Sequence, residues 1–292
     1  MVRTVEPQQK KRSMALEIWR RLRKNKMAML GLTILAVLAL TAIFADVIAD
    51  YDTKVIAQDI KNRLQGPSME HWCGTDEFGR DIFARLVHGS RVSLVVGLIS
   101  VSISLMLGGS LGAIAGYYGG KVDNVIMRIM DVFLAVPSIL LAMTIVAALG
   151  TSLVNVMLAI GVSGIPGYAR IVRASVMSIK DQEFVEASRA IGAKSPTTIF
   201  LEILPNCLAP IIVQATLSVA GAILSTASLS FIGLGVQPPS PEWGAMLSGG
   251  REYLRDALHL TLFPGLAIVI TILALNLLGD GLRDALDPRL KQ

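Results

Sequence analysis

Six apolar runs, at residues 28–48, 92–117, 125–149, 153–168, 208–234 and 258–278, divide this 292-residue sequence into greasy and polar stretches. A helix rises 1.5 Å per residue, so about 20 apolar residues cross the hydrocarbon of a bilayer. Inside lipid each backbone amide must find a partner within the protein, which a helix supplies for itself. The runs therefore predict an all-α membrane protein with six transmembrane helices. The run at 153–168 is interrupted by Gly161, Gly164, Pro166 and Gly167, residues that spans tolerate where neighbouring helices restore the lost hydrogen bonds. The composition agrees: 53% of the residues are hydrophobic and the mean hydropathy is +0.59, more apolar surface than an ordinary soluble domain could bury.

The basic residues set the orientation. Nine Lys and Arg precede the first run, among them the cluster Lys10-Lys11-Arg12, and positive charge is retained on the cytoplasmic side. The amino terminus is then inside, and six crossings bring the carboxyl terminus back to the same side. This threading places 19 of the 27 basic residues inside and 8 outside. Loops 118–124, 169–206 and 279–292 face the cytoplasm; 49–91 and 235–257 face out. The chain divides into a basic cytoplasmic segment (1–27), the first span with its outer loop (28–91), a core transmembrane domain (92–282) containing the cytoplasmic loop 169–206, and a cytoplasmic tail (283–292). The first run is longer than the core of a cleaved signal peptide and is expected to stay as an anchor.

Several function classes are set aside at this level. The net charge of +5 sits around the spans, where topology and anionic headgroups explain it, so no nucleic-acid partner is expected. Cys73 and Cys207 fall on opposite sides of the membrane and cannot bridge. His71 beside Cys73 is no ligand set, and no metal site is expected. Gly120-Lys121 is followed by Val122 and lacks the upstream glycine of a phosphate loop. The chain is expected to hydrolyse no ATP, to hold no cofactor and not to be an enzyme.

In the cytoplasmic loop, Asp181 is placed to cap a helix over 182–191, Gly192 to end it in the left-handed conformation, and Ser195-Pro196 to start another over 197–204. Phe184, Ala187, Ser188 and Ile191 share one face of the first helix. Two readings stand: the face enters a groove on a partner, or it packs on the chain's own spans while Glu186 pairs with Arg189. In the second span Gly108, Gly112, Gly116 and Gly120 recur at every fourth position, a strip expected to bring another helix close. Asp131, near the cytoplasmic end of the third span, which also holds Pro137, is expected to pair with Arg128; Asn276 and Asp280 in the sixth span are given a similarly structural reading. Outside, Ile82, Phe83, Leu86 and Val87 give residues 76–90 the apolar face of an amphipathic helix expected to lie flat on the membrane. The loop around Pro239 and Trp243, with the tryptophan suited to the interface, is either an inert connection or a rigid cap and candidate outer gate.

The stretch Glu186-Ala187-Ser188, with Gly192 four residues beyond and Leu204-Pro205 twelve further on, resembles the EAA loop of ABC importer permeases, Ser188 standing where the pattern has Ala and Glu202 where it prefers Ile. Four further segments are similar to the second permease subunit of dipeptide and oligopeptide ABC importers: Gly74-Thr75-Asp76 with Gly79-Arg80-Asp81, AGYYGG at 115–120, LSFIGLG at 229–235 and GDGLRDALDPR at 279–289. The resemblance implies the type I ABC importer permease fold in the plasma membrane. It also implies a homologous second permease, two ATP-binding subunits that bind ATP and Mg, and an extracytoplasmic peptide-binding protein. Phe184, Glu186, Ala187, Ser188, Ile191 and Gly192 would form the helix that couples to the ATP-binding subunits. The cargo would be dipeptides or short oligopeptides, passing near mid-membrane between the third to fifth spans; the alternative is glutathione, nickel or another small solute.

Overall fold

The computed structural model describes residues 14–286; the Lys10-Lys11-Arg12 cluster and residues 287–289 of the carboxyl-terminal motif lie outside them. The described residues are almost wholly helical, with one isolated bridge between Thr75 and Asp81. In chain order the main helices are α1 (Met14–Lys24), α2 (Lys26–Ile43), α3 (Ile82–Tyr118), α4 (Gly120–Leu134), α5 (Ser138–Leu149), α6 (Leu153–Ile179), α7 (Glu183–Ala190), α8 (Leu208–Phe231), α9 (Trp243–Gly250) and α10 (His259–Leu286). Among the described residues, α2, α3, α6, α8 and α10 are each long and apolar enough to cross a membrane, and α4 with α5 makes a sixth crossing bent by 83°. The expected six-span, all-α architecture is present. Leu22 and Ala28 pack with Ala285, so the described ends of the chain meet on one side.

The bend has a local cause. Pro137 has no N–H to donate and disfavours helical backbone at Val136, so α4 stops at Leu134 and α5 begins at Ser138. The run at 125–149 is therefore an elbow and not a straight span.

The centre of the fold is α3 packed along α6. At Gly108 a Cβ would stand 2.4 Å from the Ile165 carbonyl oxygen, and at Gly112 2.3 Å from that of Ala169. At Gly116 it would be 2.9 Å from the Arg173 carbonyl oxygen. Three glycines of the strip thus bring two backbones together, as small residues do between helices in lipid. Gly120 does not belong with them. Gly119 and Gly120 take positive φ of 62° and 51°, which ends α3 at Tyr118, and Gly120 has open space where a Cβ would be.

Two helices run further than their apolar stretches. Residues 76–90 are expected from the sequence to lie on the membrane surface; instead 82–90 are the outer turns of α3, begun by the Asp81 carboxylate accepting from the Ala84 N–H at 2.8 Å. Nothing breaks the helix between Ser90 and Val92, and the apolar Ile82 packs on Ala257 and Leu260 of this chain, not on lipid. Helix α6 continues past residue 168 to Ile179 because its last turns are held by charge. Arg173 makes a two-pronged contact with Asp123 at 2.5 and 2.5 Å, and Arg170 reaches Asp131 at 2.7 Å. Asp131 thus pairs across to α6 and not with Arg128 one turn back on its own helix. Asn276 and Asp280 are exposed on α10.

Outside the spans, Asp76 accepts from the backbone of Phe78 and Arg80 and from Arg80 Nε at 2.6 Å, with Arg85 Nε 3.5 Å away. Trp243 is not an interfacial residue. It is 1% exposed, its Nε1 donates to the Leu86 carbonyl at 3.0 Å, and Glu242 beside it caps α9 through the N–H groups of Gly244 and Ala245. Pro239 is exposed, its carbonyl 3.5 Å from Arg85 Nη1.

Candidate functional site

The cytoplasmic loop between α6 and α8 is a helical hairpin. Glu183 and Glu186 lie in the first turn of α7, where negative charge complements the exposed N–H groups. The cap position falls on Gln182 rather than Asp181, and its side chain makes no capping bond. At the other end Gly192 has φ +91°, its N–H donates to the Arg189 carbonyl at 3.0 Å, and the Ala193 N–H donates to the Ser188 carbonyl at 3.1 Å. This is the paired-bond termination that a left-handed glycine allows. Ser195–Thr197 then restarts the helix and runs through the wider turns of Thr198–Ile203 and through Leu204–Asn206 toward α8.

The face expected from periodicity splits in two. Val185 and Ser188 point inward, Val185 with no exposed surface at all. Val185 seats in a cluster with Val172 and Val176 of α6 and with Ile199, Ile203 and Cys207 beyond the turn. Burying such a side chain stabilises by about 1.5–3 kcal/mol. Phe184, Glu186, Ala187 and Ile191 point outward, Ile191 87% exposed and Phe184 41%. Ile191 therefore does not pack on the chain's own spans, and Phe184 is left partly open beside it. Arg189 lies over the Tyr117 ring, 4.9 Å from its centroid, and so ties α7 to the end of α3 in place of a pair with Glu186. Val185 is the anchor that the sequence reading passed over; its signal was the inward pair Val185 and Ser188 at three-residue spacing.

The two residues that depart from the EAA pattern meet each other. The Ser188 hydroxyl donates to one carboxylate oxygen of Glu202, and the other oxygen of Glu202 is buried without a hydrogen bond. Removing one partner strands a buried polar group, at about 1–3 kcal/mol, whereas replacing both by apolar groups can be nearly neutral. Ser188→Ala and Glu202→Gln are each expected to lower the melting temperature of the purified protein, and Ser188→Ala with Glu202→Ile to recover most of the loss. Additive losses in the double variant would show that the two side chains act separately.

The native thiol at the end of the loop, Cys207, is unreactive, which leaves room for an introduced probe. Burial pushes the Cys207 thiol up to about 11, leaving almost no thiolate at neutral pH. In a Cys73→Ser background, Ile191→Cys is expected to react with a membrane-impermeant maleimide only once the cytoplasmic face is opened, with Cys207 silent throughout. Labelling of intact cells at position 191 would reverse the orientation.

The sequence and the fold both have counterparts among known proteins. Residues 108–292 match the family model of the binding-protein-dependent transport system inner membrane component, and residues 13–67 match that of the N-terminal TM domain of oligopeptide transport permease C. The dipeptide transport system permease protein DppC of Alkalihalophilus pseudofirmus is 51% identical over 275 residues, covering 94% of this chain and 90% of that one. The di/tripeptide permease DppC of Pseudomonas aeruginosa is 47% identical, with 94% and 92% covered. The glutathione transport system permease protein GsiD of Escherichia coli is likewise 47% identical, with 94% and 90% covered. Among solved structures, an inward-facing MetNI methionine ABC transporter chain superposes with a TM-score of 0.57 at 20% identity, over 70% of this chain and 98% of that one. It shares the type I permease fold. The chain is a multi-pass inner membrane protein, and it belongs to the family of binding-protein-dependent transport system inner membrane components.

Proposed function

We propose that this chain is one of two membrane-spanning subunits of an ATP-driven importer of dipeptides or short oligopeptides, and that α7 is the part it presents to ATP-binding partners. The observation that carries this reading is the two-sided character of α7. Its back is buried in a core shared with α6, while its front offers Phe184, Glu186, Ala187 and Ile191 from a water-facing loop. An exposed apolar patch flanked by charge is suited to entering a groove on another protein. Gly192 fixes how the hairpin turns, and Ser188 holds α7 to the segment that follows it, so both position the surface without being part of it.

In this reading two ATP-binding subunits, holding ATP and Mg, seat α7, and a homologous second permease completes the pathway. An extracytoplasmic peptide-binding protein delivers cargo to the outer face. The energy comes from those partners. What this chain contributes is a rigid connection from α7 through Val185 into α6, and helix packings that ATP and cargo favour differently. The loop holding Pro239 and Trp243, pinned to Leu86, acts as a stiff outer cap.

The test is uptake of a labelled dipeptide by cells carrying the complete transporter, with and without an inactive ATP-binding partner. Uptake that continues without ATP hydrolysis would remove the ATP-driven reading. A second reading, glutathione as cargo, is favoured by the 47% identity to GsiD over the same stretch; competition between labelled dipeptide and glutathione separates the two.

A further inference from the structure

On the outer side of the spans, residues 76–85, the loop 233–240 after α8 and helix α9 enclose a pocket of about 360 Å³. Two arginines reach it, Arg80 and Arg85, each 5% exposed. One buried carboxylate stands against them. Asp76, 6% exposed, accepts from Arg80 Nε and from the backbone N–H groups of Phe78 and Arg80, and Arg85 Nε lies 3.5 Å from it. Glu77 is partly exposed and 3.7 Å from Arg80 Nη2, beyond hydrogen-bond length. Arg251 and Glu252 are exposed at the edge of the pocket.

Much of the donor capacity of the two guanidiniums is unused. Among the described residues, the terminal nitrogens of Arg80 make no hydrogen bond. Arg85 spends Nη1 on the Val55 carbonyl at 3.0 Å and the Pro239 carbonyl at 3.5 Å, while its Nη2 makes none. A guanidinium presents its donors as a planar fork that fits a carboxylate two at a time. Burying charge without a partner is costly, so two buried cations against one buried anion leave a place for a second carboxylate.

The rest of the lining says what carries that carboxylate. Ile82, Val236, Met246 and Leu260 make apolar wall, which suits the methylene stem of an acidic side chain and which a small inorganic anion would leave uncovered. The pocket also lies on the face where an extracytoplasmic partner would arrive. We propose that it is a socket for an Asp or Glu side chain of the extracytoplasmic binding protein. The proposal rests on the reading of the chain as a subunit of a binding-protein-dependent importer. Because Arg85 also holds the Val55 and Pro239 carbonyls, a carboxylate drawn to it bears directly on the outer cap.

The experiment reads the affinity of purified binding protein, with and without peptide, for the complete transporter in nanodiscs. Ser240 lines the pocket, is half-buried, and its side chain makes no hydrogen bond among the described residues. Ser240→Asp supplies a rival carboxylate from within the chain and is expected to weaken association by about tenfold or more, because a charge pair is lost as a like charge is gained. Ser240→Asn is expected to stay within about twofold of the wild type, as is Met69→Asp, which adds the same charge at a site 95% exposed elsewhere on the outer face. Glu77→Gln, which removes the nearest competing carboxylate, is expected to tighten association. Assembly of each complex is followed in parallel; should Ser240→Asp not assemble, Arg251→Glu, an exposed change at the edge of the pocket, is expected to weaken association several-fold. Equal affinity of the wild type and the assembled acidic variant overturns the socket, as do equal losses in Ser240→Asp and Met69→Asp. Weakening by Glu77→Gln overturns it too, since Glu77 would then be the second counterion. A loss seen only with peptide-loaded binding protein also overturns it, since the carboxylate would then be the cargo's. With normal dipeptide uptake and no effect of these variants, the socket alone is lost; if the wild-type transporter takes up dipeptide without any binding protein, the importer reading fails and the socket goes with it.

Discussion

Gly192→Pro is expected to leave the protein in the membrane and to lower peptide uptake roughly a hundredfold. Proline fixes φ near −65° and has no N–H, whereas Gly192 sits at +91° and donates to the Arg189 carbonyl. The substitution removes that bond and turns the chain the other way, which also breaks the bond from Ala193 to Ser188. A misfit of this kind costs about 3 kcal/mol or more, and every 1.4 kcal/mol is a factor of about ten in population. Helix α7 has only eight residues, and its inward contacts through Val185 and Ser188 cannot hold the hairpin's shape against such a bias. Gly192→Ala, which strains the same conformation by about 1–2 kcal/mol, should lose uptake by about tenfold. Membrane immunoblots, co-purification of the ATP-binding subunits and uptake rates check this together. Proline at 192 with full uptake would mean that the geometry of the hairpin is irrelevant to transport.

Gly112→Leu is expected to act earlier, on folding itself. Even the first carbon of the new side chain would lie 2.3 Å from the Ala169 carbonyl oxygen and 3.0 Å from that residue's carbonyl carbon. Those are backbone atoms of α6 and cannot swing aside, so the helices must separate. Overpacking costs about 1–3 kcal/mol in ordinary cores and more where backbone shifts, against a total stability of about 5–15 kcal/mol. The α3–α6 contact is also what supports the cluster of Ala113, Val172, Val176 and Val185 beneath the cytoplasmic hairpin. The amount of protein in the membrane should fall by about tenfold, the consequence of roughly 1.4 kcal/mol or more of lost stability. Gly66→Leu, at an exposed glycine with no atom within 4 Å of its Cβ position, serves as the control. Normal accumulation of Gly112→Leu would show that α3 and α6 have another way to pack.

These two positions also show what could be read from the chain alone. Gly108, Gly112 and Gly116 announce a close helix contact because a four-residue repeat is a property of one helix, visible without its neighbour. Gly192 was legible for the same reason, since it ends a helix whose polar pattern precedes it. What needed a second segment was not legible. Asp131 could be matched only to Arg128 nearby, because nothing local says that Arg170, 39 residues on, lies opposite. Ser188 and Glu202 looked like two separate departures from the family pattern until folding set them against each other. The surface reading of 76–90 failed because an apolar face on a short helix looks alike whether lipid or protein covers it. Trp243 went wrong in the same way: the indole is buried under α3, where Gly89 leaves room for it.

The elbow between α4 and α5 has a mechanical consequence. Residues 135–137 interrupt the helical ladder at a proline, so turning there sacrifices fewer hydrogen bonds than bending any straight span. Below the joint, the Asp123 and Asp131 ion pairs oblige α4 to follow α6; above it, Ala142 and Val146 of α5 pack with Val156 and Ala159 of α6. A tug on the hairpin, if it arrived along α6, would thus be spent mostly as rotation at a single crank.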